Sequence, residues 1–480
     1  MRIKTNLSLV YGAIVAVVVV LLFPEFSYND PDTFWHIELG RYMIEHQTVL
    51  HHAIHTFYND QLPYVPHEFG FQIIIATLYM TLGWPGIYLL TAVCMYFLIV
   101  GLIRLTQISR KELGLSPIHA ALLLVVLTVS IFIYYFYFTS RPQMISACLI
   151  VWFFIFLRLF RLEQKFKHSV ILVGFSCLLA NIHAGVWPVI AVFTVMAIIE
   201  ALFEKRLTKR KIITFALIFV AGMLNVGGLK SILYITTVTH NNTNMLINEW
   251  QPIHFGSLTD MPQTILLLVF ASLLPFALHK KLFRYMFMLG ILFLGVSSYK
   301  QNLFMWLFLP YFAATVVDQI PYLHKIDTKL NKKFIVIPLI LALLFNIGYV
   351  FIKPPVINQA DYPVLEMTYI LEQTEQGTRP HVLTNYGASG YVNFRGGNIL
   401  TDGRQDPFIT DASKGVFGWT AFQRSMHGFN ENLPDIVNYD QPDYVITKLD
   451  FTGRAYDMMV SKYGKPVFTG DFGNVFHIRK

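Results

Sequence analysis

Asn29-Asp30-Pro31-Asp32-Thr33-Phe34-Trp35-His36, arriving directly after the apolar run Leu7–Phe23, is the stretch on which the reading of this chain turns. A hydrophobic run of that length matches a bilayer core, and it delivers two carboxylates, an indole and an imidazole to a membrane surface. Six further polar clusters interrupt the apolar sequence: His67-Glu68, Ser140-Arg141-Pro142-Gln143, Asn181-Ile182-His183, Asn225, Glu249-Trp250 and Lys300-Gln301-Asn302. Hydropathy and positive charge place all of them at one membrane face. Polar groups are costly beside lipid, so a one-sided collection predicts a shared site at the outer surface.

Composition sets the class. Hydrophobic residues make up 55% of the 480 positions and charged residues 14%, where a soluble domain carries about 25% charged. Repeated apolar runs make this a polytopic membrane protein. The net charge of +8 does not point to nucleic acid, because Lys and Arg gather between apolar runs. Arg104/Arg110/Lys111, Arg158/Arg161/Lys165/Lys167, Lys205–Lys211, Lys280/Lys281/Arg284 and Lys325–Lys333 are such clusters. They mark cytoplasmic loops, whereas the outer segments before residue 353 hold only Arg41, Arg141, Lys230 and Lys300. The three cysteines lie in apolar runs and read as core residues.

The first run follows Arg2 and Lys4 like a signal peptide, but Pro24-Glu25-Phe26 is no small-residue cleavage site, so an uncleaved anchor over 6–24 is expected. The N-terminus is then cytoplasmic. Parity of the basic loops makes the short apolar stretch 68–82 a re-entrant or interfacial helix on the outer side. Spans near 84–105, 117–139, 143–161, 168–182, 184–203, 211–228, 262–279, 283–299, 303–318 and 333–352 complete an α-helical polytopic membrane protein of about eleven spans. After Pro354-Pro355 the composition turns to charges, turns and β-type runs at His381–Asn385, Tyr391–Phe394, Asn398–Thr401, Tyr444–Thr447, Pro466–Thr469 and Asn474–Ile478. Amphipathic stretches at 361–375 and 453–463 accompany them. The expected organisation is a membrane module over 1–353, with 25–70 as its first outer loop, and a small extracytoplasmic α/β domain over 356–480.

In the first loop, a carboxylate held near the membrane can be desolvated into a general base, and Asp30 and Asp32 are the candidates. With His36 they are also candidates for holding a divalent cation against phosphate oxygens. The competing account is a helix N-cap, a role that Asp32 fits because Trp35, Ile37, Leu39, Met43 and Ile44 follow at near-helical spacing. His46, His51, His52 and His55 are irregularly spaced and read as surface or hydrogen-bonded histidines. His67-Glu68 either lines a pocket mouth or caps the short helix. Arg141 and Lys300, at the mouths of helix pairs, suit a phosphate; the competing account for Arg141 is a lipid headgroup or the carboxylates of the first loop. Gln143, Asn181, His183 and Glu249 lie at the same face; Asn181 and His183 either reach substrate or satisfy their own turn.

Taken in order, Asn29-Asp30-Pro31-Asp32 with Trp35-His36 and Gly40, His67-Glu68, Ser-Arg-Pro-Gln at 140–143, Asn-Ile-His-Ala-Gly at 181–185, Leu-Asn-Val-Gly-Gly at 224–228 and Glu-Trp-Gln-Pro at 249–252 resemble the C-type (GT-C) membrane glycosyltransferases. In the tail, Asn385–Tyr391 and Asp402-Gly403-Arg404 are similar to the outer domain of that group. The Leu-Asn-Val-Gly turn departs from it in lacking Pro-Tyr-Gly after the Asn. The resemblance implies sugar transfer from a polyprenyl-phosphate carrier to an envelope glycan or lipid acceptor on the outer face, with an essential first-loop acid. Asp30 is then the expected base, Asp32 and His36 its orienting groups, and Arg141 and Lys300 the leaving phosphate's counterions. Arg41, His67, Glu68, Gln143, Asn181, His183, Glu249, Asp402 and Arg404 are expected substrate-binding positions. A lipid-linked sugar transporter would need charges inside the spans, where the sequence places few; a non-catalytic assembly protein would not need both aspartates.

Overall fold

The computed structural model describes residues 30–115, 120–239, 247–257, 260–275, 282–314, 316 and 357–478. The expected anchor at 6–24 and the expected span at 333–352 lie outside these residues. The helices run in order α1 (Pro31–His46), α2 (Phe69–Leu82), α3 (Trp84–Glu112), α4 (Ala120–Tyr137), α5 (Pro142–Glu163), α6 (Phe166–Ile182), α7 (Trp187–Phe203), α8 (Lys209–Met223), α9 (Gly228–Thr239), α10 (Met261–Ser272), α11 (Leu282–Ser297) and α12 (Leu303–Ala313). The C-terminal region adds α13 (Val364–Glu372), β1 (Val382–Leu383), α14 (Tyr386–Arg395), α15 (Ala421–His427), α16 (Leu433–Asp440), β2 (Tyr444–Lys448), α17 (Arg454–Tyr463), β3 (Phe468–Thr469) and β4 (Gly473–His477). The chain is a helical membrane protein with a small sheet. It divides into two compact units, one holding the described residues of 88–316 and the other those of 30–87 and 357–478.

In the helical unit, α3, α5 and the stretch Ala184–Phe203 are long and apolar enough to cross a membrane. The helix at the expected span 211–228 is α8, which ends at Met223, and α8 and the start of α9 meet at a 93° bend. The cause is local, because Asn225 Nδ2 bonds back to the Gly222 carbonyl at 3.1 Å and stops the helix. Further apolar helices, among them α6, α10 and Phe283–Ser297, are shorter.

The second unit is built on a sheet ordered β1-β2-β4-β3. β1 runs parallel to β2, with Val382 beside Tyr444, and β4 runs antiparallel to both β2 and β3. The strand expected at Tyr391–Phe394 is a correction: it lies inside α14. Asn385 caps that helix by accepting the Ala388 amide at 3.0 Å, so a local cap overrides the β-type side chains. Helix α1 belongs to this unit's core, where Phe34 packs with Tyr362, Met367, Tyr391, Val392 and Val475. Strand-like pairing also ties residue 56 to Ile399, with the Phe57 amide on the Ile399 carbonyl at 3.0 Å.

Gly40 lets α1 lie directly on α2. A Cβ there would stand 2.0 Å from the Gln72 carbonyl oxygen and 2.6 Å from Ala76 Cβ. Replacing Gly40 with Ala should therefore destabilise this unit by about 1–3 kcal/mol, as overpacked contacts do. Thermal unfolding of the purified protein checks it; an unchanged midpoint would mean that the two helices separate at no cost.

Candidate functional site

The first-loop motif becomes a capped helix N-terminus. Pro31, with its fixed φ and missing N–H, starts α1. The cap is Asp30, whose side chain accepts the Asp32 amide at 2.9 Å. The capping role expected of Asp32 thus falls two residues earlier, because Pro31 sets the helix start there. Asp32 lies in the first turn, half-buried, and its Oδ1 accepts Trp35 Nε1–H at 2.9 Å.

The Asp402-Gly403-Arg404 motif is brought against this turn. A Cβ on Gly403 would stand 1.9 Å from Asp32 Oδ1 and 2.5 Å from Trp35 Nε1, so only glycine fits. Asp402 and Arg404 themselves are fully buried and pair with one another at 2.8 Å. Arg404 Nη1 also donates to the Ile54 carbonyl, and Asn393 Nδ2 donates to Asp402. They fix the loop that carries Gly403.

One helical position beyond Trp35, the buried His36 ring lies beside the indole, with centroids 3.7 Å apart. His36 Nε2 is 3.9 Å and His67 Nε2 3.6 Å from the same Glu68 oxygen. His67 Nδ1 is held by the Val65 carbonyl at 2.8 Å. The motifs 30–36, 67–68 and 402–404 therefore form a chain running Asp32, Trp35, His36, Glu68, His67. Among the described residues no three His, Cys, Asp or Glu side chains converge as metal ligands. The expected Asp30–Asp32–His36 cation site does not fit this geometry, since His36 turns toward Glu68.

Three partners were not anticipated. Arg41 pairs with the buried Glu38, which also receives Arg379 Nη1 at 3.0 Å and has His55 Nε2 at 3.6 Å. Burial raises the Glu38 carboxyl, and Arg379 and Arg41 counter it only in part. Burial, then Arg379 and Arg404, depresses the His55 imidazole to about 3, so it is neutral rather than a solvated surface cation. Asp406 is the third; its Oδ2 accepts the Val65 amide at 3.3 Å, next to His67. Arg379-Pro380, just before β1, and Asp406-Pro407 were the only sequence signals for these two residues.

In the helical unit, Arg141 caps α5 in extended conformation ahead of Pro142. Its Nη1 donates to Glu249 Oε1 at 2.7 Å, and Lys300 Nζ lies 3.6 Å from Glu249 Oε2. The Lys300 ammonium also sits over the Trp250 ring at 5.2 Å. Burial alone would raise the Glu249 carboxyl, but the two cations hold it down at about 2. Gln143 is half-buried in the first turn of α5. Asn181 Nδ2 donates to the Cys177 and Leu224 carbonyls, so it satisfies its own turn and the end of α8. His183 Nδ1 and Ser146 Oγ are 2.9 Å apart, joining that turn to α5.

The same helix carries a second polar centre. Arg158, about 25 Å along α5 from Arg141 by helical rise, donates to Glu112 at 2.6 Å and to Glu200 at 2.6 Å. Tyr311 donates to Glu112 at 2.8 Å, and the Arg284 guanidinium covers the Tyr311 ring at 4.2 Å. Charge inside the helices is thus more extensive than the sequence suggested, and it is internally paired.

No family model and no curated protein matches this sequence. Solved structures do. ArnT from Cupriavidus metallidurans in its apo state is similar over 97% of both chains, at TM-score 0.54 and 13% identity. The same protein bound to undecaprenyl phosphate is similar over 97% of both chains, at TM-score 0.51 and 12% identity. The Archaeoglobus fulgidus oligosaccharyltransferase in its apo form covers 96% of this chain and 71% of its own, at TM-score 0.52 and 11% identity. The chain has the GT-C fold. Within that fold, the motifs quoted from the first loop and the tail meet in one unit.

Burial pushes the Asp406 carboxyl well above 3.8, with the Val65 amide and Arg404 opposing it. The folded chain then keeps this proton to higher pH than the unfolded chain, so Asp406 costs stability as pH rises above 3.8. Asp406→Asn keeps an acceptor for Val65 and removes the titration. Its melting temperature relative to wild type should climb as pH rises above about 4; parallel profiles would show that Asp406 folds already ionised.

Proposed function

We propose that this protein is a membrane glycosyltransferase that moves a sugar from a polyprenyl-phosphate donor to an envelope glycan or lipid acceptor. The observation that carries this reading is the convergence of Arg141 and Lys300 on a single anionic point at 2.7 and 3.6 Å. Two cations of different shape, one forked and one compact, suit a phosphate headgroup. The GT-C fold supports it, one structure with that fold being a complex with undecaprenyl phosphate. We place the N-terminus in the cytoplasm and the region 356–480, as a domain, outside.

The reaction assigns each group a task. A first-loop carboxylate takes the proton from the acceptor hydroxyl, whose oxygen attacks the anomeric carbon from the face opposite the phosphate. The bond to the phosphate oxygen breaks and its electron pair stays with the phosphate, inverting the centre. Arg141 and Lys300 neutralise the charge that grows there. Asp32 is the better base, because Asp30 is engaged as the helix cap while the Asp32 carboxylate is oriented by the Trp35 indole. His36, 3.9 Å from Glu68, lies beside the Trp35 indole, and Asp402 and Arg404 support the Gly403 loop.

The test is donor turnover in purified, reconstituted protein with a panel of polyprenyl-phosphate sugars. Asp32→Asn should lower turnover by about 10²–10⁴-fold with an unchanged melting temperature. Asp30→Asn keeps the cap and should be nearly as active as wild type, whereas Asp30→Ala should cost about 1 kcal/mol of stability. The reverse pattern would make Asp30 the base. Full activity in both Asn variants would sink the role of this loop, and donor binding without turnover in wild type would favour a transporter.

A further inference from the structure

The Arg141–Glu249–Lys300 cluster differs from the buried Arg158 and Asp402–Arg404 centres in its exposure. The Glu112 side chain, at the Arg158 centre, is 2% exposed, and neither Asp402 nor Arg404 reaches solvent. Glu249 is 42% exposed, while Arg141 is 16% and Lys300 30% exposed. The anion is therefore the most exposed of the three. It also presents one oxygen to each cation, Oε1 to Arg141 and Oε2 to Lys300, as two oxygens of a phosphate would.

The cations are anchored and the anion is not built into a long element. Arg141 is fixed at the start of α5 by Pro142 and by its own amide on the Thr139 carbonyl at 2.7 Å. Lys300 opens the turn Lys300–Asn302, which leads into α12. Glu249 sits on the short turn Asn248–Trp250. The Tyr299 amide bonds to the Gln251 carbonyl at 2.9 Å, which ties the two turns together.

We propose that the Glu249 carboxylate is a stand-in for phosphate: it occupies the Arg141–Lys300 pair and is displaced by an arriving lipid-linked phosphate. This inference rests on the functional reading above and adds a residue that sets phosphate affinity. Exchange of one anion for another keeps both cations in contact with an anion, so neither is left unpaired when the product departs. Three charges sum to +1; a phosphodiester of the same charge as the carboxylate leaves that sum unchanged, and a phosphate monoester of greater charge lowers it. The returning carboxylate competes with the phosphate product and speeds its release.

The test measures binding of a polyprenyl phosphate, inorganic phosphate and the uncharged polyprenol to full-length protein in nanodiscs. Glu249→Gln should bind polyprenyl phosphate about tenfold tighter than wild type, because the competing anion is gone. Arg141→Gln should bind it at least about tenfold more weakly, and polyprenol should bind all three alike. The same tightening with inorganic phosphate would show that the headgroup alone displaces Glu249; tightening confined to the lipid form would show that the chain must seat first. Equal or weaker binding by Glu249→Gln overturns the stand-in and makes Glu249 a positioning residue, leaving the functional reading intact. If wild type binds no polyprenyl phosphate, the functional reading itself fails. Carboxyl footprinting of wild type does not depend on the variants folding: labelling of Glu249 should rise when polyprenyl phosphate is added, and unchanged labelling refutes displacement.

Discussion

Backbone at Gly403 lies so close to the Asp32 carboxylate and the Trp35 indole that no side chain can stand between them. Everything else in the second unit serves that approach. Asp30 and Pro31 fix where α1 begins, which places Asp32 in the first turn and Trp35 one turn on. Phe34 turns the other way into the core shared with Tyr362, Tyr391 and Val475, so α1 cannot rotate without unpacking that core. On the far side, the buried Asp402–Arg404 pair and the Arg404 bond to the Ile54 carbonyl hold the Gly403 loop down. A carboxylate meant to meet a substrate with fixed geometry needs this kind of support, since small displacements of a reacting group are costly.

The sequence disclosed the motifs but not their pairings. Hydrophobic runs, basic loops and the order of polar clusters were legible because each is a local pattern, and α3, α5 and α13 stand where periodicity put them. The identity of the cap was not legible: Asp30 and Asp32 both precede a near-helical pattern, and only the position of Pro31 decides between them. Glu38 and Arg379 lie 341 positions apart, and no local pattern couples them. Asp406 was hidden for the same reason, its partner being an amide in the first loop. Tyr391–Phe394 misled because β-type side chains in a short run say less than the Asn385 cap that precedes them. Asn181 and Asn225 were ambiguous in sequence, and their bonds to nearby carbonyls identify them as residues that close turns.

Ion pairs in this chain sort by exposure into two physical kinds. Where Arg158 meets Glu112 and Glu200, desolvation opposes the attraction, so the net gain in stability is small. Removing one partner there would strand a buried charge, which makes such a centre unsuited to exchange. Glu38 with Arg41 and Arg379 belongs to the same kind, since the carboxylate is enclosed by the helix and loop it joins. Arg141 and Lys300 with Glu249 are different, because water reaches the carboxylate and can solvate it on release. The cost of breaking that contact is met by hydration on one side and by any incoming anion on the other. A site that must bind a phosphate and then let it go cannot use the rigid kind of pair, and at the residues proposed for that task the chain keeps a solvent-reached carboxylate between two cations.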